Sequence, residues 1–294
     1  MLLGGYYALD LGPSCCYNQA MNNSELEIEA KKLGFARAFF VAPPRYGSEV
    51  ASLTRDEHIV FNVGDASFTA ACLLVWAYKP YPAGERIPSY YINSNLSYHA
   101  SVTLAKTLES MGICVKRTEL PVKSLLFDNH IGIRLKSSLA AIPPYGTRFA
   151  VQGLLLASDK NNRFEPEQYS VVPLNLCRTC KICENACPAH AIHPEGMRVT
   201  ECMRYYMDEA DYPDWVYERQ TTHIGCEVCQ QVCPYNARLP FAEPTGEMRE
   251  AFALERLAEG DTKSARIMVG KNMTGRGKLQ KEAINFINRD AKPQ

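Results

Sequence analysis

Eight of the twelve cysteines in this 294-residue chain fall between Cys177 and Cys233, and their spacing constrains the fold more than any other feature. Cys177, Cys180, Cys183 and Cys187, followed by Pro188, fit C-x2-C-x2-C-x3-C-P. Cys226, Cys229 and Cys233, followed by Pro234, repeat that run with its first member displaced upstream to Cys202. This is the bacterial spacing for a pair of 4Fe–4S clusters. Two-residue gaps wrap a tight loop around a cube, so three sulfurs reach three irons, while the fourth cysteine of each run ligates the other cluster. The pattern therefore assigns Cys177, Cys180, Cys183 and Cys233 to one cluster, and Cys187, Cys202, Cys226 and Cys229 to a second. Pro188 and Pro234 keep the chain from continuing as helix after the swapped ligand. A disulfide framework or a structural zinc site would use paired C-x2-C, not three cysteines in a row with C-x3-C-P.

Composition places the rest. The chain is 46% hydrophobic and 22% charged, as an ordinary globular protein is, and its formal net charge of zero points to no particular partner. Met1 to Ala20 has no basic leader, no long apolar core and no twin arginine, and it contains Asp10, so no signal or membrane segment is expected. A cytoplasmic monomer is expected, in a compartment whose reduced thiols suit cluster assembly. Cys72 and Cys114 lie in apolar runs and read as small buried hydrophobes. Cys15 and Cys16 are adjacent without other ligands nearby, which leaves ordinary turn residues or an extra redox or metal role open.

The first 160 or so residues alternate helix and strand signals. Ser24-x-x-Glu27 reads as a capping box, with Leu26, Ala30 and Leu33 at helical spacing and Gly34 as the stop. Phe35 to Ala42, Phe68 to Tyr78 and Phe149 to Ser158 read as buried strands, and Ile113 to Arg117 as a short one. Tyr98 to Met111 reads as a helix closed by Gly112, and Pro121 suits the first position of the next. Ser158 to Tyr169 is polar and reads as a linker. The expected class is α+β: an N-terminal α/β domain over residues 1–165, a ferredoxin-like double-cluster module over 166–240, and a helical tail over 241–294. In that tail Glu247 to Glu259 ends at Gly260, and Lys278 to Asn288 places Leu279, Ala283, Phe286 and Ile287 on one face. From Lys263 onward there are eight Lys and Arg against two acids, either a solvated helical face or a contact for nucleic acid.

A bare two-cluster electron carrier needs only the cysteine module, and here about 165 residues precede it. The chain resembles the epoxyqueuosine reductases, whose relatives include the reductive dehalogenases. The resemblance rests on the cysteine runs, on Glu201-Cys202-Met203-Arg204-Tyr205, on Ile224-Gly225-Cys226 and on Cys233-Pro234-Tyr235-Asn236. It extends to Lys31-Lys32-Leu33-Gly34-Phe35, to Ala71–Tyr81, and to a tail from Val269 to Asn288 that resembles the start of a helical repeat. The resemblance implies cobalamin in the N-terminal domain, reduced through the two clusters by an external one-electron donor of the flavodoxin or ferredoxin kind. It also implies removal of an epoxide oxygen from a modified base at the tRNA wobble position, with tRNA meeting the basic tail. Tyr98 and His99 resemble the family's Asp-Tyr-His at a helix start, with Ser97 in place of the Asp. Tyr145 and Gly146 stand where the family keeps a Gly-rich segment near the corrin, of which Gly146 survives. The family's general acid is an Asp three residues before a helix-opening proline. Aligning on Pro121 puts Thr118 there and makes Glu119 the carboxylate that would deliver the proton.

Three functions remain open on these residues: a cobalamin-dependent iron–sulfur reductase, an electron-transfer protein that docks a partner without a corrin, and a cobalamin reductase acting on a small molecule. The missing Asp and the eroded Gly-rich segment favour the second, and the breadth of the match favours the first. His99 suits either the corrin or a structural hydrogen bond, and Glu119 either a proton donor or a solvated carboxylate. His190 and His193 read as neighbours of the clusters or as surface groups rather than ligands.

Overall fold

The computed structural model describes residues 20–44, 49–51, 58–60, 68–170, 176–209, 211–270, 275 and 277–292. Cys15, Cys16 and the first 19 residues lie outside them. The opening helix, α1 (Asn23–Lys32), starts on a capping box set two residues earlier than Ser24 suggests. The side chain of Asn22 accepts from the N–H groups of Ser24 and Glu25, and Glu25 accepts in return from the N–H of Asn22 at 2.8 Å. Asn and Ser are comparable N-caps, so the Glu three residues after Asn22 decides. Glu27 is thereby released to pair with Lys31 and Arg37. Gly34 follows at φ +99, and a Cβ there would lie 2.8 Å from the Trp76 ring.

The apolar runs become a four-stranded sheet in the order β1-β4-β8-β5, from β1 (Arg37–Val41), β4 (Ala70–Ala77), β5 (Val115–Arg117) and β8 (Phe149–Leu156). Every neighbouring pair is antiparallel. The sheet of the N-terminal unit is thus antiparallel, which makes the unit α+β rather than α/β. Continuous apolar strands signal burial on both faces, and both faces here are covered, which is why these runs mimic parallel strands. Cys72, Leu74, Leu154 and Leu156 face α1 and the long α2 (Ser89–Ser110). Ala71, Leu73, Val75 and Leu155 face the opposite core, which includes Leu125 and Leu126 of α3 (Val122–Asp128). Three two-stranded ribbons complete the strands: β2 (Glu49–Ala51) with β3 (His58–Val60), β6 (Ile133–Arg134) with β7 (Ala140–Ala141), and β9 (Ile192–His193) with β10 (Gly196–Met197).

Helix α2 begins nine residues before Tyr98, so Tyr98 and His99 sit in its middle and not at a helix start. The sequence Ser89-Tyr90-Tyr91 carries no strong start signal, and the helix is set by burial of Ile92, Leu104 and Leu108. Gly112 ends the helix at φ +79, as expected. Pro121 caps α3 rather than opening it as the first helical residue. Cys72 is fully buried, as expected, but Cys114, directly before β5, is exposed. Residues 158–169 form no regular element, yet they are tied down: Phe164 is fully buried and Tyr169 Oη accepts from the N–H of Phe40 at 2.7 Å.

The cysteine module contributes only short helices, α4 (Ile182–Ala186), α5 (Asp214–Arg219) and α6 (Val228–Gln231). Helices α7 (Gly246–Ala251), α8 (Leu254–Ala258), α9 (Lys263–Val269) and α10 (Lys278–Asp290) follow. They share one core with the stretch after Cys202: Met203, Met207, Val216 and Ile224 pack with Phe252, Leu257 and Leu279.

Candidate iron–sulfur centres and the seam that holds them

The structure gathers the eight cysteines into two groups. Cys177, Cys180, Cys183 and Cys233 line a single cavity, together with Leu135, Ser137, Leu176, Pro234 and Tyr235, and Cys229 of the other group borders it. Burial raises the Cys183 thiol to about 11, reinforced by the neighbouring sulfurs of Cys177, Cys180 and Cys233. The connection between β6 and β7 closes over this group. The Lys136 N–H donates to Cys177 Sγ at 3.3 Å, and its ammonium reaches the Cys180 carbonyl at 3.1 Å and Glu184 at 2.7 Å.

The second group holds Cys187, Cys202, Cys226 and Cys229. Burial raises the thiols of Cys202, Cys226 and Cys229, and each is also raised by sulfurs of this same group. Cys187 Sγ accepts from the Ala191 N–H at 3.4 Å. Arg204, two residues after Cys202, lies over the rings of Tyr90 and Tyr91 at 4.9 and 4.6 Å. Four soft thiols in each of two adjacent groups are the donor set that cubane iron–sulfur clusters take.

Between the module and the sheet runs a buried polar seam that the cysteine pattern does not reveal. Arg148, 1% exposed and just ahead of β8, donates to Glu227 at 2.7 Å and to Gln230 at 3.1 Å. Glu227, 3% exposed and lying between Cys226 and Cys229, also accepts from the N–H of Tyr90 at 2.9 Å. Gln230 donates to the Thr147 carbonyl, and the Asn236 side chain bonds Thr147 at both its N–H and its hydroxyl, each contact 2.8 Å. Gly146 belongs to this seam. At φ +59, a Cβ there would stand 2.1 Å from Asn236 Oδ1 and 2.6 Å from the Tyr235 carbonyl. The glycine is required by the approach of Cys233-Pro234-Tyr235-Asn236.

The remaining residues singled out from sequence do not converge. Tyr145 reaches the Ala36 carbonyl at the β1 edge of the sheet, at 3.4 Å. Tyr98 lies under Arg117 of β5, the opposite edge, at 4.4 Å from the ring centroid. His99 stacks edge-on to Tyr98 at 5.3 Å. Glu119 is exposed between β5 and α3. His193 pairs with Glu201 at 3.0 Å, beside Cys202.

Two thiol groups and a covered antiparallel sheet define a class, and comparison with known proteins agrees with it. Residues 176–236 match the family described as a 4Fe-4S double cluster binding domain. The fold is shared with an epoxyqueuosine reductase from Streptococcus thermophilus (TM-score 0.66, 19% identity, 92% of this chain and 81% of that one). A catabolic reductive dehalogenase shares it more loosely (TM-score 0.51, 14% identity, 88% and 37%). At the sequence level the chain is similar to epoxyqueuosine reductases. It is 36% identical to that of Listeria monocytogenes over 110 residues, 36% of this chain and 27% of that protein. It is 31% identical to that of a Synechococcus strain over 130 residues, 42% and 38%. The aligned stretches thus span less than half of either curated relative. The resemblance carried by the cysteine runs is borne out.

Proposed function

We propose that this chain is an iron–sulfur oxidoreductase of the epoxyqueuosine-reductase kind, with Cys177, Cys180, Cys183 and Cys233 holding one 4Fe–4S cluster and Cys187, Cys202, Cys226 and Cys229 the other. The observation that carries the reading is the pairing of two four-thiol groups, through the buried Arg148–Glu227 seam, with the sheet domain that reductases of known structure share. The clusters would supply single electrons and cobalamin the metal centre that meets the substrate. Support for the corrin comes from the shared fold, since a dehalogenase of that fold is described as B12-dependent (TM-score 0.50). Tyr98 and Tyr145 lie on opposite edges of the sheet, and the space beside Gly146 is filled by Asn236, so these residues form no shared cradle for it.

The chain's own contribution begins at Lys136, whose N–H donates to Cys177 and whose ammonium, paired with Glu184, holds the Cys180 carbonyl beside the first thiol group. The seam fixes Glu227, between two cysteines of the second group, against the start of α2. Glu119, on the β5 edge, would hold the proton for the leaving epoxide oxygen. The substrate would be a tRNA carrying the modified base: a solved relative is described with such a tRNA stem loop. Three tail cations do not remain for it, because Lys278, Lys281 and Arg289 bond Met207, Asp211 and the carbonyls of Glu218 and Gln220. The reading includes a reduced flavodoxin- or ferredoxin-like donor, a monomer, a cytoplasmic setting and unit limits near 165 and 240. Among the described residues no helix is long and apolar enough to cross a membrane.

A second reading, electron transfer to a docked partner without a corrin, is favoured by the filled Gly146 position. One experiment separates them. Anaerobically reconstituted protein is mixed with cobalamin, a reductant and tRNA bearing epoxyqueuosine, and the base is weighed. Spectral changes on adding cobalamin and loss of one oxygen from the base support the reductase. Full cluster loading with neither change supports the electron carrier.

A further inference from the structure

The displaced Cys202 leaves a 23-residue loop, 203–225, between two ligands of the second group, a separation that the first run does not have. Among its described residues, the only helical stretch apart from α5 is the 3-10 segment Met203–Asp208. A loop of this length does not by itself return its ends to one site. Helix α10 lies along it. Lys278, though 6% exposed, donates to the Met207 carbonyl at 2.7 Å, close after Cys202. One turn later Glu282, fully buried, takes the Ile224 N–H with both oxygens at 3.2 and 3.1 Å and meets His223 Nδ1 at 3.0 Å, close before Cys226. Arg289 donates to the carbonyls of Glu218 and Gln220 at 3.0 and 2.9 Å.

The backbone at the Cys226 end needs such a hold. Ile224 sits at φ +56, a region β-branched residues avoid, and Gly225 follows at φ +112. The doubly bonded carboxylate of Glu282 keeps that turn and thereby the direction in which Cys226 leaves it. Lysine and glutamate four residues apart fall on one helix face. Here that face is turned inward, with Lys278 on the Met207 carbonyl after Cys202 and Glu282 on His223 and the Ile224 N–H before Cys226.

We propose that α10 is a brace for the second cluster, with Lys278 and Glu282 as positioning residues that bring Cys202 and Cys226 into register. The proposal rests on the ligand assignment above. The hydrogen bonds of Lys278 and Glu282 described above go to the stretch between Cys202 and Cys226. The test is iron content, electron paramagnetic resonance of each reduced cluster, and its midpoint potential, on the anaerobically reconstituted full chain. Wild type should hold about eight irons, two cubanes of four. Glu282→Ala should fall towards about four, the surviving cluster keeping its wild-type spectrum and potential. Lys278→Met should retain both clusters while shifting the spectrum or potential of the second alone. Glu282→Gln keeps an acceptor for the Ile224 N–H and should restore loading, while Ile284→Ser, on the exposed face of the helix, should match wild type. Glu282→Ala with eight irons and unchanged potentials would overturn the brace. So would parallel loss of both clusters in Glu282→Ala and Glu282→Gln, which marks general unfolding. A wild type holding only one cluster overturns the ligand assignment, and the brace with it.

Discussion

Arg148→Met removes the cation from the seam and leaves Glu227 buried beside the second thiol group. Both partners are almost wholly excluded from water, 1% and 3% exposed, and they meet at 2.7 Å. Removing one partner of such a pair typically costs about 3–5 kcal/mol, because the other charge is stranded without solvent. The Tyr90 N–H still bonds Glu227, which places the expected loss toward the lower end. A domain is commonly stable by only about 5–15 kcal/mol, so the loss is a large share. Glu227→Gln, which keeps shape and hydrogen bonds, should rescue part of it: the double variant should beat the sum of the singles by about 0.5–3 kcal/mol. The assay is anaerobic denaturant unfolding of the reconstituted chain, followed by tryptophan emission and by cluster absorbance. A single variant within about 0.5 kcal/mol of wild type, the usual scatter of surface changes, refutes the reasoning. Strict additivity in the double variant refutes it as well.

Gly146→Ala should destabilise the chain by at least about 2 kcal/mol, from left-handed backbone strain and displaced Asn236 hydrogen bonds, and should be read as a lowered unfolding midpoint. Lys136→Met keeps the N–H bond to Cys177 but removes a cation beside the first group, so that cluster's midpoint potential should become more negative in a redox titration while the second holds. Glu119→Gln should lower turnover of epoxyqueuosine-bearing tRNA by about 10²–10⁴-fold without changing iron content, as loss of a general acid does; turnover at the wild-type rate places the acid elsewhere.

What was legible in the sequence is what local spacing encodes. The cysteine runs mark the double-cluster module that residues 176–236 match, because tight gaps fix geometry without reference to distant residues. Gly34, Gly112 and Gly260 marked the helix ends for the same reason, each at a positive φ. The apolar runs gave strands but not their direction, since burial on both faces erases the alternation that separates antiparallel from parallel. The start of α2 was missed because its first turn carries no side-chain cap. The seam and the brace were invisible: Arg148 and Glu227 are 79 residues apart, and Lys278 and Met207 71, with no periodic trace of either pairing. The missing Cβ of Gly146 makes room for Asn236 and the Tyr235 carbonyl, a long-range approach with no local trace in the sequence.

Iron and acid-labile sulfide, counted per chain after anaerobic reconstitution, test the central claim most directly. Two cubanes predict about eight of each, falling to about four in Cys202→Ala, with the first cluster's spectrum intact. A fully reconstituted chain that holds four irons, or that takes zinc in their place, contradicts it.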